Sequence, residues 1–218
     1  MIIETRYTAG SVAYRKAGDG PGLLGGYALR YDRQSQNLGG FVERIAPGAL
    51  TKTLSDGGDV LCRFQHDDAL ILGRTLSGTL TLSADAEGLV YEVVLPDTTT
   101  GRDLAALAGR GDVQHSSFAF RTIRDDWGFT EQGFPLRTLL EIQLVDVAPV
   151  VQPAYLDTSS GLRALAEARH LNPDAVLAAA ASNTLADMLR GVTTEVEPGE
   201  THSAAVALRR RRLEMIRR

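Results

Sequence analysis

The stretch Val113-Gln114-His115-Ser116-Ser117-Phe118-Ala119-Phe120-Arg121-Thr122 reads as a β-strand with one buried face. A period of two sends Ser116, Phe118 and Phe120 to one side and His115, Ser117, Ala119 and Arg121 to the other. Two phenylalanines belong in a core, so Ser116 is expected to be buried and hydrogen-bonded. Ser117 then lies on the more polar face, where a second molecule could reach it, and is the candidate nucleophile of the pair.

Working outward, residues 11–151 read mainly as short strands, firmest over residues 60–64, 79–83, 89–95, 117–123 and 139–145. Turn signals such as Gly18-Asp19-Gly20-Pro21, Asp56-Gly57-Gly58-Asp59 and Glu87-Gly88 separate them. The expected fold class is mainly β with helices (α+β). Because closure removes exposed sheet edges, a closed or nearly closed antiparallel β-barrel is the expected architecture. Two helical inserts interrupt it. One covers residues 47–54 and opens on Pro47; the other covers residues 101–108 and carries Leu104, Ala105, Leu107 and Ala108 before Gly109.

After Pro153 the character changes. Asn172-Pro173-Asp174 is a helix start, residues 176–190 form an alanine-rich helical stretch, and Gly191 is its stop. Residues 192–201, with Pro198-Gly199 inside, read as a linker, and residues 203–218 as a charged helix. The chain therefore divides into a β-domain over residues 1–160 and a helical, linker-containing C-terminal extension over residues 161–218.

A serine hydroxyl is a weak nucleophile near neutral pH and needs an imidazole to take its proton and a carboxylate to orient that imidazole. His66, in Phe64-Gln65-His66-Asp67-Asp68, is the candidate base. It shares the parity of Val60, Cys62 and Phe64, so it reaches a site only if the strand ends there, as Asp67-Asp68 suggest. In Leu139-Leu140-Glu141-Ile142-Gln143-Leu144, alternation sends Leu140, Ile142 and Leu144 inward and leaves Glu141 facing out as the candidate acid. Cys62 and His66 make a poor thiol–base pair, since four residues of strand span about 13 Å. His115 lies about 6.6 Å along the strand from Ser117, which suits lining the site better than deprotonating the serine. Ser117 also lacks a Gly-x-Ser-x-Gly elbow, which argues against a small-molecule esterase.

Composition narrows the setting. With 44% hydrophobic and 23% charged residues, the chain of 218 residues can bury a core rather than stay disordered. Its single cysteine excludes an internal disulfide and suits a reducing cytosol. No apolar run reaches membrane-span length, and Met1-Ile2-Ile3-Glu4-Thr5-Arg6 lacks the order of a signal peptide, so neither membrane insertion nor export is expected. Four histidines and one cysteine show no metal-ligand spacing, and no metal or cofactor is expected. The net charge of −4 hides an asymmetry, because residues 209–218 hold six arginines against Glu214. Such a basic tail can dock on the acidic body or on another acidic protein; nucleic acid is the weaker reading, since no aromatics interleave the charges.

Read in order, these segments resemble the prohead maturation proteases of tailed bacteriophages, whose fold is similar to that of the herpesvirus assemblin proteases. The marks include Gly26-Tyr27-Ala28, Phe41-Val42-Glu43-Arg44-Ile45-Ala46-Pro47-Gly48-Ala49-Leu50, His66-Asp67, Leu72-Gly73-Arg74-Thr75 and Gly78-Thr79-Leu80. Further on come Glu87-Gly88-Leu89, Leu95-Pro96-Asp97-Thr98, Gly101-Arg102-Asp103, Ser117-Phe118-Ala119-Phe120 and Pro153-Ala154-Tyr155. The resemblance covers roughly residues 25–163. It implies His66 as general base, Ser117 as nucleophile and Glu141 as third member, where assemblin-like enzymes carry a second histidine. Backbone amides and Arg121 are both plausible oxyanion donors.

The implied activity is a serine endopeptidase that cleaves the major capsid protein and scaffold segment inside the immature procapsid, in the host cytoplasm. Its own C-terminal extension is an expected further substrate, and a homo-oligomer is compatible with the reading. The alternative is a non-catalytic capsid assembly or scaffold module working through its helical tail.

Overall fold

This computed structural model describes residues 2–9, 12–152 and 159–191. In chain order the strands are β1 (Glu4–Thr8), β2 (Ala13–Arg15), β3 (Leu23–Arg30), β4 (Val42–Ile45), β5 (Leu61–Arg63), β6 (Ile71–Arg74), β7 (Leu80–Ala84), β8 (Gly88–Val94), β9 (His115–Phe129) and β10 (Pro135–Val150). The helices are α1 (Thr51–Ser55), α2 (Thr99–Arg110), α3 (Ser159–Ala168), α4 (Pro173–Ala181) and α5 (Leu185–Leu189). One sheet runs β1-β9-β10-β5-β6, with β4 also paired to β10, and the other runs β2-β3-β8-β7.

Neither sheet closes on itself, so the α+β class holds but the expected barrel does not form. The pairing is also mixed, because β10 runs antiparallel to β9 and parallel to both β4 and β5. Its partners occupy different stretches, with Leu136 opposite Val42 and Val147 opposite Cys62. Closure is replaced by side-chain contact between the sheets. Thr8 Oγ1 donates to the Ala28 carbonyl at 2.8 Å, which joins β1 to β3. At Gly73 in β6, an added Cβ would come within 2.7 Å of Val93 Cγ2 on β8, so the Leu-Gly-Arg-Thr motif marks a close approach of the two sheets.

Between the sheets, Leu24, Leu89, Tyr91 and Val93 meet Cys62, Leu72, Phe118, Phe120, Leu144 and Val147 in the main core. The insert expected at residues 101–108 is α2, capped by Thr98, whose side chain accepts from Gly101 N, and ended by Gly111 in the left-handed region. The insert expected at residues 47–54 yields only the short α1.

Helices α3 to α5 do not share that core. They close a second one, in which Leu162, Leu165, Val176, Ala179 and Leu185 pack with Leu38, Phe41 and Trp127. The Asn172 side chain accepts from Asp174 N at 2.8 Å and Ala175 N at 3.2 Å, as the helix-start motif requires. The single helix expected over residues 176–190 is two helices, because the Ser182 hydroxyl turns back to the Ala178 carbonyl at 2.8 Å and Asn183 adopts φ +57°. The expected linker, the basic helix and the Pro153-Ala154-Tyr155 motif lie outside the described residues.

A buried ion network ties β1 to β4, β9 and β10. Arg137, fully buried, donates to Glu4 at 2.7 Å, to Glu43 at 3.0 Å and to Asp125 at 2.6 Å. Arg6 donates to Glu43 at 2.9 Å and to Glu4 at 2.9 Å. Removing Arg137 leaves the buried Glu4 and Glu43 to share Arg6 as their one guanidinium, so Arg137→Ala is expected to cost about 3–5 kcal/mol in urea denaturation at neutral pH. Burial alone would raise the Glu4 carboxyl, but Arg137 and Arg6 hold it below its ordinary value of 4.5. A depressed carboxyl stabilises the fold above its unfolded value and ceases to do so as pH falls through its native value. Stability should therefore decline below about pH 4.5, and less steeply in Glu4→Gln.

Candidate active site

The alternation read from the sequence holds along this part of β9. Ser116, Phe118 and Phe120 are buried among the core residues, and Ser116 Oγ lies 3.1 Å from the buried Tyr91 hydroxyl. Ser117 is on the opposite face, with its Oγ 2.6 Å from His66 Nε2. It is not open to solvent as expected, being only 3% exposed. Edge strand β1 pairs alongside, Tyr7 opposite Ser117, and the Ser117 hydroxyl is also 2.8 Å from the Arg6 carbonyl.

His66 reaches the serine because β5 stops at Arg63. The next three residues form a 3₁₀ turn, in which both Gln65 and His66 sit at φ +59°. Two successive side chains in the left-handed region are strained, at about 1–3 kcal/mol each. The turn is secured by Asp67 N donating to the Phe64 carbonyl at 3.1 Å and by the Asp67 carboxylate accepting from Ala69 N at 2.8 Å. Strand parity alone would have driven His66 into the core with Cys62; the turn redirects it.

The carboxylate on the other imidazole nitrogen is Asp146, whose Oδ1 lies 2.6 Å from His66 Nδ1. Uninterrupted alternation would point Asp146 inward with Ile142 and Leu144. A bulge intervenes: Leu144 faces Phe120, but Asp146 faces Ala119, leaving Val145 as an extra residue. That one-residue slip turns Asp146 onto the face of Ala119 and Ser117. Glu141 is not brought there. It lies opposite Arg124, seven residues from Ser117 along β9, on the order of 23 Å. Its carboxylate is 4.0 Å from Lys52 Nζ and borders a separate cavity of about 350 Å³ with Asp56 and Gln143. Arg121 pairs with Gln143, four residues beyond Ser117.

Asp146 is 3% exposed, and its second oxygen accepts from Arg63 Nη2 at 3.0 Å. The neighbouring Cys62 thiol is fully buried, and burial together with the charge on Asp146 pushes its pKa far up, so it stays a neutral core group. Among the described residues, no group of three or more His, Cys, Asp or Glu side chains could hold a metal ion, and no helix is long and apolar enough to cross a membrane.

Hydroxyl, imidazole and carboxylate in hydrogen-bonded series form the arrangement that serine hydrolases use to activate a nucleophile. The sequence pattern of the caudovirus prohead serine proteases matches residues 11–171, and the chain belongs to that family. It is thus a serine protease of capsid maturation, a family that acts in the prohead of an infected host. Among solved structures, the bacteriophage T4 capsid assembly protease, gp21, is similar at 15% identity and a TM-score of 0.44, over 68% of this chain and 96% of that one. No curated protein sequence matches the chain.

The turn carrying His66 offers a direct check. Gln65 is exposed, so its replacement tests backbone conformation with little change in packing. Glycine tolerates φ +59° freely, so Gln65→Gly should melt no lower than wild type. Gln65→Val, β-branched, should lose about 1–2 kcal/mol, read by thermal melting.

Proposed function

We propose that this protein is a serine endopeptidase that cleaves capsid and scaffold proteins during prohead maturation, with Ser117 as nucleophile, His66 as general base and Asp146 as the orienting acid. The observation that carries the reading is His66 standing between Ser117 Oγ and Asp146 Oδ1, each at 2.6 Å. The acid role passes to Asp146 from Glu141, which makes no contact with the imidazole.

The hydroxyl proton has two acceptors within reach, His66 Nε2 and the Arg6 carbonyl. Attack uses the first. With Nδ1–H donating to Asp146, Nε2 is free to accept the proton as Oγ bonds to the peptide carbonyl. Asp146 stabilises the resulting imidazolium, which then protonates the departing amine. The acyl-enzyme is released by water that gives its proton to the same nitrogen.

The variants separate the roles. Ser117→Ala should abolish both labelling by a fluorophosphonate and the appearance of discrete fragments from the cognate capsid protein. Ser116→Ala should retain both and lose stability instead, because it leaves the Tyr91 hydroxyl without Ser116 Oγ. Asp146→Asn should lower turnover by about 10⁴-fold, since the amide favours the wrong imidazole tautomer. Glu141→Gln should leave turnover unchanged; a large loss there with an active Asp146→Asn would reverse the assignment.

Self-processing belongs to the same reading. Residues 192–201 are polar with Pro198-Gly199 among them, a composition that suits a protease substrate, and the basic residues beyond could hold the enzyme on an acidic scaffold until cleavage. Wild-type protein is expected to lose a C-terminal piece at a site within residues 156–201 during incubation, while Ser117→Ala keeps Arg218. Intact-mass spectrometry of the two proteins decides this. Equal truncation in both, or an intact wild type, counts against self-cleavage.

A further inference from the structure

Asp146 has two oxygens, and the proposed triad uses only one of them. Oδ2 accepts from Arg63 Nη2 at 3.0 Å. The Arg63 side chain is 12% exposed, so its charge is poorly screened by solvent. Its other terminal nitrogen, Nη1, pairs with Asp68, the residue two beyond His66. Its Nε is buried and has no hydrogen-bond partner. The guanidinium is therefore not placed to satisfy its own donors; it is held between two carboxylates, one of them on the imidazole.

We infer that Arg63 is a positioning residue for the proteolytic reaction: it fixes the Asp146 carboxylate so that Oδ1 faces His66 Nδ1, and it sets how readily the imidazole takes up a proton. This rests on the reading of Ser117, His66 and Asp146 as the reacting set. A carboxylate bonded at both oxygens cannot swing away from the imidazole between turnovers. The guanidinium also adds a positive charge beside the Asp146–His66 pair, which disfavours the imidazolium relative to a site without it.

The charged and titratable groups near the pair include Arg63 and the Cys62 thiol on β5, Asp67 and Asp68 beyond the turn, and, on β9, Ser117 and His115 two residues before it. Cys62 stays neutral and Ser117 does not titrate in the working range, so Arg63, the two exposed aspartates and His115 are the groups whose charge acts on the pair. Of these, Arg63 alone touches Asp146. A guanidinium suits this role better than an ammonium, because its fixed fork reaches both carboxylates at once.

The test is the pH dependence of Ser117 phosphonylation by a fluorophosphonate, measured on the full chain with wild type, Arg63→Met, Arg63→Lys and Asp68→Asn. Arg63→Met should move the acid limb of the rate up by about one pH unit, slowing labelling on that limb about tenfold. Arg63→Lys, which keeps the charge, should hold the limb near its wild-type place. Asp68 is exposed, so Asp68→Asn should fold normally and move the limb down by a few tenths of a unit. A residue that only packs would change the melting temperature and leave the limb fixed. An unmoved limb in Arg63→Met, or a limb moved as far in Arg63→Lys, overturns the inference. Should Arg63→Met fail to fold, an unmoved limb in Asp68→Asn overturns it. Undiminished labelling of Ser117→Ala would instead bring down the reading of the nucleophile, a result separable from any of these.

Discussion

A carboxylate taken out of water has to be matched by donors, and Asp146, at 3% exposure, is matched on both oxygens. That requirement organises the site. One oxygen fixes the imidazole of His66 and the other the guanidinium of Arg63, so the end of β5 and the strained turn after it are drawn to β10. The parallel pairing of β5 with β10, Leu61 opposite Asp146, brings the backbone to the same place. Ser117 needs only its position on β9 to complete the series. The left-handed turn at Gln65 and His66 is tolerable because these bonds, rather than local preference, hold it.

A second buried set of charges does for the edge what Asp146 does for the centre. Glu4 and Arg6 reach from β1 to Arg137 and Glu43, and they fasten the five-residue edge strand beyond its ladder with β9. The consequence is chemical as well as structural. Because β1 lies in register with β9, the Arg6 carbonyl stands over the serine hydroxyl and competes with His66 for its proton. Where the hydroxyl points to Arg6, Oγ can meet His66 Nε2 only as an acceptor, so the two contacts of the hydroxyl draw on opposite roles of the imidazole nitrogen.

Much of this was legible in the residues. Alternation in the SSFAF segment separated Ser116 from Ser117 correctly, because no bulge interrupts β9 there. The two aspartates after His66 rightly signalled that β5 ends before the histidine. The carboxylate that meets the imidazole was legible only as a class. Alternation through residues 139–144 assumes an unbroken pleat, whereas β10 has register shifts on both sides of Glu141 and another between Leu144 and Asp146. A bulge changes the face of every residue beyond it, and nothing in Leu144-Val145-Asp146-Val147 announces one. A signal did exist: an aspartate among Val145, Val147 and Ala148 is a charge in an otherwise apolar run, and such a charge needs a partner. The missing barrel has a similar cause, since which strands β10 takes as parallel partners is a tertiary choice that local pattern does not carry.

The central claim is that the His66 imidazole donates its Nδ1 proton to Asp146. Proton NMR at low temperature reads that bond directly, because an imidazole N–H held by a buried carboxylate at 2.6 Å is deshielded and protected from exchange. The account expects a far-downfield resonance in wild type that is assigned to His66 by isotope labelling, survives in Glu141→Gln and disappears in Asp146→Asn. A resonance that persists in Asp146→Asn and vanishes in Glu141→Gln would contradict it.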